Sequence, residues 1–245
     1  MGSMGSMISE GGADMSRKSA LALFGGVFDP VHQGHVDIAF SALAHPGIEK
    51  VLWIPCPVIP HHKSPPRAPA EARLEMTRIV CKDVPGFVVE DIEFQRNGPA
   101  FTVDTVKSLS DLYPDTLLLW IVGADNASSI SQWKSAEELW NHAIPVIAPR
   151  PGSLPKSSLQ DSEKHYLCRE DFPYISEDRW KLFREWTLPA VSQDVSSSQI
   201  RHLLANPEES KNPTLSKGLG VPDPVLQYLL QGGWYQQSGS SEGST

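Results

Sequence analysis

Apolar runs alternate regularly with amphipathic segments over most of this chain, and this alternation limits the fold more than any other feature. The apolar runs predict strands at 21–26, 51–55, 87–90, 117–123, 144–149 and, later, near 187–191. Helices are predicted at 34–44, 70–82, 102–112, 135–142 and 176–186, and from about 198 onward. Strands that alternate with helices form a parallel sheet covered on both faces. We therefore expect a doubly wound, mostly parallel α/β sheet with a C-terminal helical segment.

Two of the predicted strands end in glycine, which suggests where a ligand would bind. The first strand ends at Gly25 and Gly26, and the fourth ends at Gly123. In open parallel sheets, ligands bind beyond the carboxyl ends of the strands, where the strand order reverses. We therefore expect the first and fourth strands to be neighbours and the residues after each to line one crevice.

The segment LALFGGVFDPVHQGH, residues 21–35, predicts a phosphate site. Gly25 and Gly26 would let backbone approach a ligand, and a turn at Phe28 to Pro30 would lead into a helix that begins near Gly34. His32 and His35 would then lie at the first turn, where free N–H groups and the helix dipole favour an anion. Taken alone, two such histidines are as compatible with a surface accident or half of a metal site.

A second segment, VSSSQIRHLL at 195–204, places three serines before an amphipathic helix. Serine is a favoured N-cap residue, so ordinary capping explains such a cluster without a ligand. The alternative is a second anion site in which Ser197, Ser198 and Arg201 contact phosphate oxygens.

Together the two segments resemble the GxFDPxHxGH and [IV]SSTxIR motifs of the nucleotidylyltransferase superfamily. The resemblance implies a Rossmann-like fold in which His32 and His35 hold the α-phosphate of ATP. It also implies that Ser197, Ser198 and Arg201 hold the outer phosphates. Gly25, Gly26 and Phe28 would complete the ATP site, with Gly123 and Asp125 on its other side. Ser198 stands where the motif usually has threonine.

Three further segments resemble bacterial nicotinate-nucleotide adenylyltransferases, and the likeness runs from about residue 21 to 235. They are VIPHHKSPP (58–66), FQRNGPAFTVDTV (94–106) and WIVGADNASSISQW (120–133). The resemblance implies that His61 faces the acceptor phosphate, that Thr102 and nearby N–H groups receive the nicotinate carboxylate, and that Trp133 stacks on the pyridine ring. His62 stands where the family has a lysine or arginine, so either His62 or Lys63 would supply the cation.

The family resemblance implies transfer of AMP from ATP to nicotinate mononucleotide, with release of pyrophosphate, as a step of NAD synthesis. His32, His35 and Arg201 would be the catalytic groups, and Mg²⁺ would be carried by the ATP phosphates with no metal ligand from the protein. Three alternatives stay open. They are a phosphopantetheine adenylyltransferase, a catalytically silent nucleotide-binding regulator, and a hydrolase whose metal is held by His32, His35, His61 and His62.

Composition bounds the partners and the domain organisation. A formal net charge of −8 argues against a nucleic-acid surface, and no apolar run indicates a membrane segment. Cys56, Cys81 and Cys168 lack the spacing of a disulfide framework or zinc site, which favours a cytoplasmic location. The sequence is compatible with a homo-oligomer.

We expect one domain over residues 19–235, between a leader at 1–18 that begins like an expression remnant and a disordered tail at 236–245. Residues 150–175 predict a long loop, with a lid or an insertion as alternatives.

Overall fold

The computed structural model of the chain describes residues 19–60, 65–149, 167, 169–186, 188–189, 195–206 and 219–236. In chain order its elements are β1 (Ala20–Gly26), α1 (Gln33–Leu43), β2 (Ile48–Pro55), α2 (Ala70–Cys81), β3 (Phe87–Val89), α3 (Thr102–Leu112), β4 (Leu117–Gly123), α4 (Ala124–Ala127), α5 (Ala136–His142), β5 (Ile144–Ala148), α6 (Glu177–Glu185), α7 (Ser197–Leu204) and α8 (Asp223–Gly232). Short 3-10 helices lie at Ile130–Gln132 and Arg169–Asp171.

The five described strands form one parallel sheet in the order β3-β2-β1-β4-β5. The predicted fold class is therefore confirmed, and the strand order reverses between β1 and β4 as a doubly wound sheet requires. Because helices cover both faces, the central strands are apolar almost throughout: every residue of β4 except Gly123 is buried.

The predicted strand near 187–191 is not found in the part that is described, where Leu188 and Pro189 belong to no strand. Trp186 and Leu188, at the start of this segment, are buried against the core instead of pairing in the sheet. The remainder of that prediction, most of the 150–175 loop, the predicted leader at 1–18 and all of the predicted tail at 236–245 except residue 236 lie outside the described residues.

A split between β1 and β4 opens at the carboxyl end of the sheet. These strands pair only from Ala20 with Leu117 to Leu23 with Trp120. Beyond that point β1 stays paired with β2 as far as Gly26, and β4 stays paired with β5 as far as Gly123. The last three residues of each strand therefore diverge and form the walls of a crevice.

Aromatic packing fixes the C-terminal half on this sheet. Trp140 of α5 is fully buried and contacts Phe172, Trp180 and Phe183, with ring centroids 5.5 to 5.9 Å apart. Burying each such ring stabilises the fold by roughly 1.5 to 3 kcal/mol, so this cluster is a main attachment of α6 to the domain. Within the described ranges, no helix is long and apolar enough to cross a membrane.

Candidate active site

The turn after β1 is shaped by Phe28, whose backbone adopts a positive φ of 51°. A Cβ at Gly26 would lie 2.7 Å from Cε1 of Phe28, so Gly26 makes room for this ring. The predicted role of Gly26 beside a ligand stays a prediction, and the ring of Phe28 already accounts for the absence of a Cβ there. Gly25 behaves differently, because a Cβ there would meet only the carbonyl of Ile54 at 4.0 Å. Gly25 is also exposed, so it leaves space where the crevice begins.

His32 and His35 lie together at the start of α1, where His32 is the N-cap. The two rings stack with centroids 3.7 Å apart, and the edge of Phe28 packs on His35 at 5.1 Å. The His32 N–H donates to Nδ1 of His35 over 3.2 Å. A ring whose Nδ1 accepts carries its proton on Nε2. The fold thus fixes the tautomer of His35 and makes its Nε2–H the donor toward an anion.

The backbone donors at the start of α1 are less available than the sequence predicted. The Gln33 N–H donates to the carbonyl of Gly220 at 2.6 Å, and the His35 N–H lies 2.9 Å from the carbonyl of His32. The expectation of a row of free N–H groups fails here because a segment close to the C-terminus already occupies one of them. An anion at this site therefore depends mainly on the imidazole rings.

The serine cluster divides its roles between capping and contact with the β1 turn. Ser196 is the N-cap of α7, and its Oγ accepts the N–H of Gln199. Ser197 instead donates to the carbonyl of Pro30 at 3.0 Å, a contact that joins positions 167 residues apart. Ser198 is exposed, and its Oγ accepts from Nη2 of Arg201. Capping accounts for the first serine only.

Arg201 completes the junction between α7 and the β1 turn. Its Nη1 donates to the carbonyl of Asp29 at 2.6 Å and lies 3.7 Å from the Asp29 carboxylate. The side chain keeps 25% of its surface exposed. The structure therefore brings His32, His35, Ser197, Ser198 and Arg201 to one place, although the two motifs are far apart in the sequence.

Asp29 is a buried anion that sequence reasoning assigned only to a turn. Its carboxylate accepts from the N–H of Arg67 at 2.9 Å, the N–H of Ala68 at 3.1 Å and the hydroxyl of Tyr235 at 2.6 Å. Burial, together with the neighbouring Asp29 charge, raises the pKa of the Tyr235 phenol, so the phenol stays protonated and keeps donating. The turn is thereby fixed from two directions.

Arg73 is a second buried group that the sequence did not single out. It is only 1% exposed, and its guanidinium donates to the carbonyls of Val27, Cys56 and Pro57. These contacts tie the β1 turn to the loop after β2. Burial lowers the pKa of Arg73. An arginine between Ala72 and Met76 on the apolar face of α2 was the signal that could have revealed it.

The predicted acceptor residues lie on the other side of the crevice, as far as the structure describes them. Thr102 is the first residue of α3, and Trp133 packs against Trp120 with its Nε1–H on Ser129 Oγ at 3.0 Å. Lys134 lies 4.2 Å from the Phe101 ring centroid and 3.0 Å from the Asp104 carboxylate. These contacts place the start of α3 beside the Trp133 segment.

The remaining predicted site residues belong to the end of β4, the start of α4 and the 58–66 segment. Gly123 is the N-cap of α4, and Asp125 is exposed in its first turn. His61, His62 and Lys63 lie outside the described residues.

A buried polar network supports this side of the crevice. Glu93 is 8% exposed and accepts from the Thr105 hydroxyl at 2.7 Å, while Arg96 donates to the same hydroxyl at 3.3 Å. Burial raises the pKa of Glu93 and raises that of the nearby Cys56 thiol to about 12. Cys56 is therefore an unreactive thiol that donates to the Val58 carbonyl. Within the described ranges, no three His, Cys, Asp or Glu side chains cluster as metal ligands.

Comparison with known proteins agrees with this geometry. Residues 23–203 match the model of the cytidylyltransferase-like family. A protein of Aeromonas hydrophila named a probable nicotinate-nucleotide adenylyltransferase is 30% identical over 220 residues, which span 89% of this chain and 98% of that protein. The chain belongs to this adenylyltransferase family. A relative of the same name from Trichormus variabilis is 39% identical over 187 residues, 75% of this chain and 84% of its own length.

Solved structures of adenylyltransferases share the fold. The nicotinic acid mononucleotide adenylyltransferase of Plasmodium falciparum, solved in complex with NaAD, superposes with a TM-score of 0.65. The match covers 89% of this chain and 97% of that one at 19% identity. A second structure of the Plasmodium enzyme, complexed with APC, gives a TM-score of 0.61. At this level of identity the likeness concerns the fold alone.

Proposed function

We propose that this adenylyltransferase transfers AMP from ATP to nicotinate mononucleotide and releases pyrophosphate, which makes nicotinate adenine dinucleotide for NAD synthesis. The observation that carries this proposal is the junction of the two motifs. Arg201 and Ser197 donate to the carbonyls of Asp29 and Pro30, beside the stacked imidazoles of His32 and His35. This arrangement groups donors for a polyphosphate at the carboxyl end of the sheet.

We assign each group of donors at this junction to one part of the ATP triphosphate. His32 and the Nε2–H of His35 bind the α-phosphate, and Arg201 with Ser197 and Ser198 binds the outer phosphates. Arg201 suits this task because its planar fork offers five donors, and the contacts to Asp29 and Ser198 use only part of them. Gly25 and Phe28 line the ATP side of the crevice, with Gly26 behind the ring, and Gly123 and Asp125 face them from β4 and α4.

The chemical step needs no protein base. An oxygen of the acceptor phosphate forms a bond to the α-phosphorus while the bond to the bridging oxygen breaks, and pyrophosphate carries away the electron pair. A phosphate monoester with a second pKa of about 6 is mostly dianionic at neutral pH, so it attacks without proton transfer. Alignment alone contributes roughly 7 to 11 kcal/mol, and the histidines and Arg201 stabilise charge that shifts toward the leaving group.

We also propose that Mg²⁺ arrives with ATP. Both oxygens of Asp29, the buried carboxylate of the junction, already accept N–H or O–H donors, so this residue is not available as a ligand. Mg²⁺ commonly binds through substrate phosphates and water, which fits such a site. When bound, it neutralises charge on the departing pyrophosphate.

On the acceptor side, we propose that Thr102 and the N–H groups at the start of α3 receive the nicotinate carboxylate, while Trp133 stacks on the pyridine ring. We propose that the acceptor phosphate binds to His61 and to the cation supplied by His62 or Lys63. Donors arranged for a carboxylate meet the NH₂ of an amide unfavourably. Each buried donor left unpaired costs about 1 to 3 kcal/mol, so two of them give roughly a hundredfold preference for the acid.

Pyrophosphate release over a panel of acceptors tests the proposal. We expect nicotinate mononucleotide to give the highest kcat/KM, its amide counterpart roughly a hundredfold less, and phosphopantetheine none. Thr102→Val should shrink the ratio of acid to amide, with Thr116→Val as a matched control outside the site. Turnover of phosphopantetheine alone, or ATP binding without turnover of any acceptor, would replace this assignment by one of the two nucleotide-binding alternatives.

We further propose that the enzyme acts in the cytoplasm, without nucleic acid as a partner. The formal net charge of −8 argues against nucleic acid, and the free thiols of Cys56 and Cys81 support the location.

A further inference from the structure

Tyr235 comes from the far end of the chain and contacts the turn that carries the histidines. It follows α8, whose C-cap Gly233 has a positive φ of 65° that glycine adopts readily. This C-cap turns the chain back, and the Tyr235 ring is buried with 2% of its surface exposed. Its hydroxyl donates to Oδ1 of Asp29 over 2.6 Å, across 206 positions of sequence.

Asp29 connects Tyr235 to Arg201. One carboxylate oxygen receives Tyr235 and the Ala68 N–H, and the other receives the Arg67 N–H and lies 3.7 Å from Arg201 Nη1. The same Nη1 donates to the Asp29 carbonyl. Asp29 therefore contacts both Tyr235 and the guanidinium of Arg201. Rotation of its carboxylate would change the 3.7 Å ion pair with Arg201 Nη1, whereas the hydrogen bond from Nη1 to the Asp29 carbonyl would stay in place.

Tyr235 also lies beside the helix that carries Arg201. Tyr235, Leu204 and Leu229 line one small cavity, so the ring lies between α8 and the end of α7. Removal of the hydroxyl alone leaves this packing in place. The effect of the hydrogen bond can therefore be separated from the effect of the ring.

We propose that Tyr235 is a positioning residue for ATP: its hydroxyl orients the Asp29 carboxylate, which in turn holds the Arg201 guanidinium toward the outer phosphates. The phenol is suited to this because it stays protonated and cannot repel the carboxylate. This proposal rests on the proposed function in one respect, since it takes Arg201 as a ligand of the ATP phosphates. It adds a residue to the site that neither phosphate motif contains.

Calorimetric titration of ATP into four forms of the protein tests the proposal: wild type, Tyr235→Phe, Arg201→Ala and the double variant. We expect Tyr235→Phe to weaken ATP binding about tenfold, the order of change that loss of one hydrogen bond to a charged group produces. In the Arg201→Ala background, the same substitution should change ATP affinity less than about twofold, because residues that act through one another are not additive. The KM for nicotinate mononucleotide should change less than about twofold.

Tyr228→Phe is the matched control, because it removes a phenol from α8, shortly before Tyr235, where Tyr228 packs on Trp234. It should bind ATP like the wild type. All variants are titrated well below their melting midpoints, so a loss of stability does not enter the comparison. Recovery of the adenylyl-transfer rate of Tyr235→Phe at a raised ATP concentration, with unchanged kcat, would agree with positioning of the ground-state complex.

Wild-type affinity in Tyr235→Phe, or an equal loss with and without Arg201, would overturn the proposal. Either result is distinguishable from failure of the proposed function. If the wild type binds ATP but adenylylates a different acceptor, the titrations still decide the role of Tyr235. If the wild type does not bind ATP at all, the phosphate site and this proposal fall together.

Discussion

The two sides of the crevice are held in place by different means. On the phosphate side, Ser197 and Arg201 of α7 donate to backbone carbonyls of the β1 turn, and Tyr235 donates to the buried carboxylate of the same turn. The carbonyl of Gly220 accepts the N–H of Gln33 at the start of α1. On the acceptor side, side chains hold one another: Glu93 with Thr105, Lys134 with Asp104, and Trp133 with Ser129. A hydrogen bond to a backbone carbonyl persists when the residue that carries the carbonyl is substituted. A contact between two side chains is lost when either residue is substituted. The phosphate geometry is thus resistant to sequence change, and the acceptor side is where specificity can vary.

The largest effect is expected from His35→Ala on the phosphate side. This substitution removes the fixed Nε2–H donor, so adenylyl transfer should fall at least about a hundredfold, as for loss of one charge-stabilising donor in a transition state. Steady-state kinetics with a circular dichroism check of folding would measure it. His202→Ala, which removes an exposed histidine from α7, serves as the control. Turnover near that of the wild type in folded His35→Ala would contradict the assigned role.

Arg201→Ala should have the next largest effect and should change ligand binding on the phosphate side only. We expect ATP and pyrophosphate to bind more than about tenfold more weakly, while nicotinate mononucleotide changes little, because the guanidinium lies on the phosphate side. Arg201→Lys should recover only part of the loss, since an ammonium lacks the bidentate fork. Arg78→Ala removes an exposed arginine and controls for net charge. Equal weakening of both substrates in calorimetry would show that the comparison between the two sides is wrong.

A smaller effect is expected from Trp133→Ala on the acceptor side. Loss of ring stacking should raise the KM for nicotinate mononucleotide several-fold and leave the KM for ATP nearly unchanged. The ratio of acid to amide should stay constant, because stacking does not distinguish the two. Trp133→Phe keeps a flat ring and should lie between the alanine variant and the wild type. A changed acid preference in Trp133→Ala would assign this residue a polar role.

The smallest effect concerns stability and tests the side-chain network of the acceptor side. Burial raises the pKa of Glu93 in the folded protein, so its contribution to the free energy of unfolding is greatest at low pH and falls as pH rises through the folded pKa. Glu93→Gln removes this dependence. Its urea midpoint should therefore rise relative to the wild type between about pH 5 and pH 7.5. Glu49→Gln, at an exposed position of β2, should show no such trend.

Local patterns were sufficient to predict the five strands of the sheet, the reversal between β1 and β4, and the residues of both phosphate motifs. Such features depend on neighbours in the sequence: an apolar run, two histidines at the start of a helix, serines before another. Asp29, Arg73 and Tyr235 were missed because their importance comes from partners that are distant in sequence, in the case of Tyr235 by 206 positions. Gly26 was predicted to lie beside a ligand. A Cβ placed at this position would first contact the ring of Phe28, two residues away.

The contacts of Gly220 and Tyr235 with the β1 turn bear on the order in which the protein is made. A ribosome delivers β1 first, and the whole parallel sheet has been synthesised before residue 220 appears. The Gln33 N–H meets Gly220 just before α8 is made, and the Asp29 carboxylate meets Tyr235 only after that helix has been added. A chain interrupted before residue 220 has the strands of the sheet but lacks both of these partners of the β1 turn. The nucleotide site is therefore completed later than the sheet that carries it.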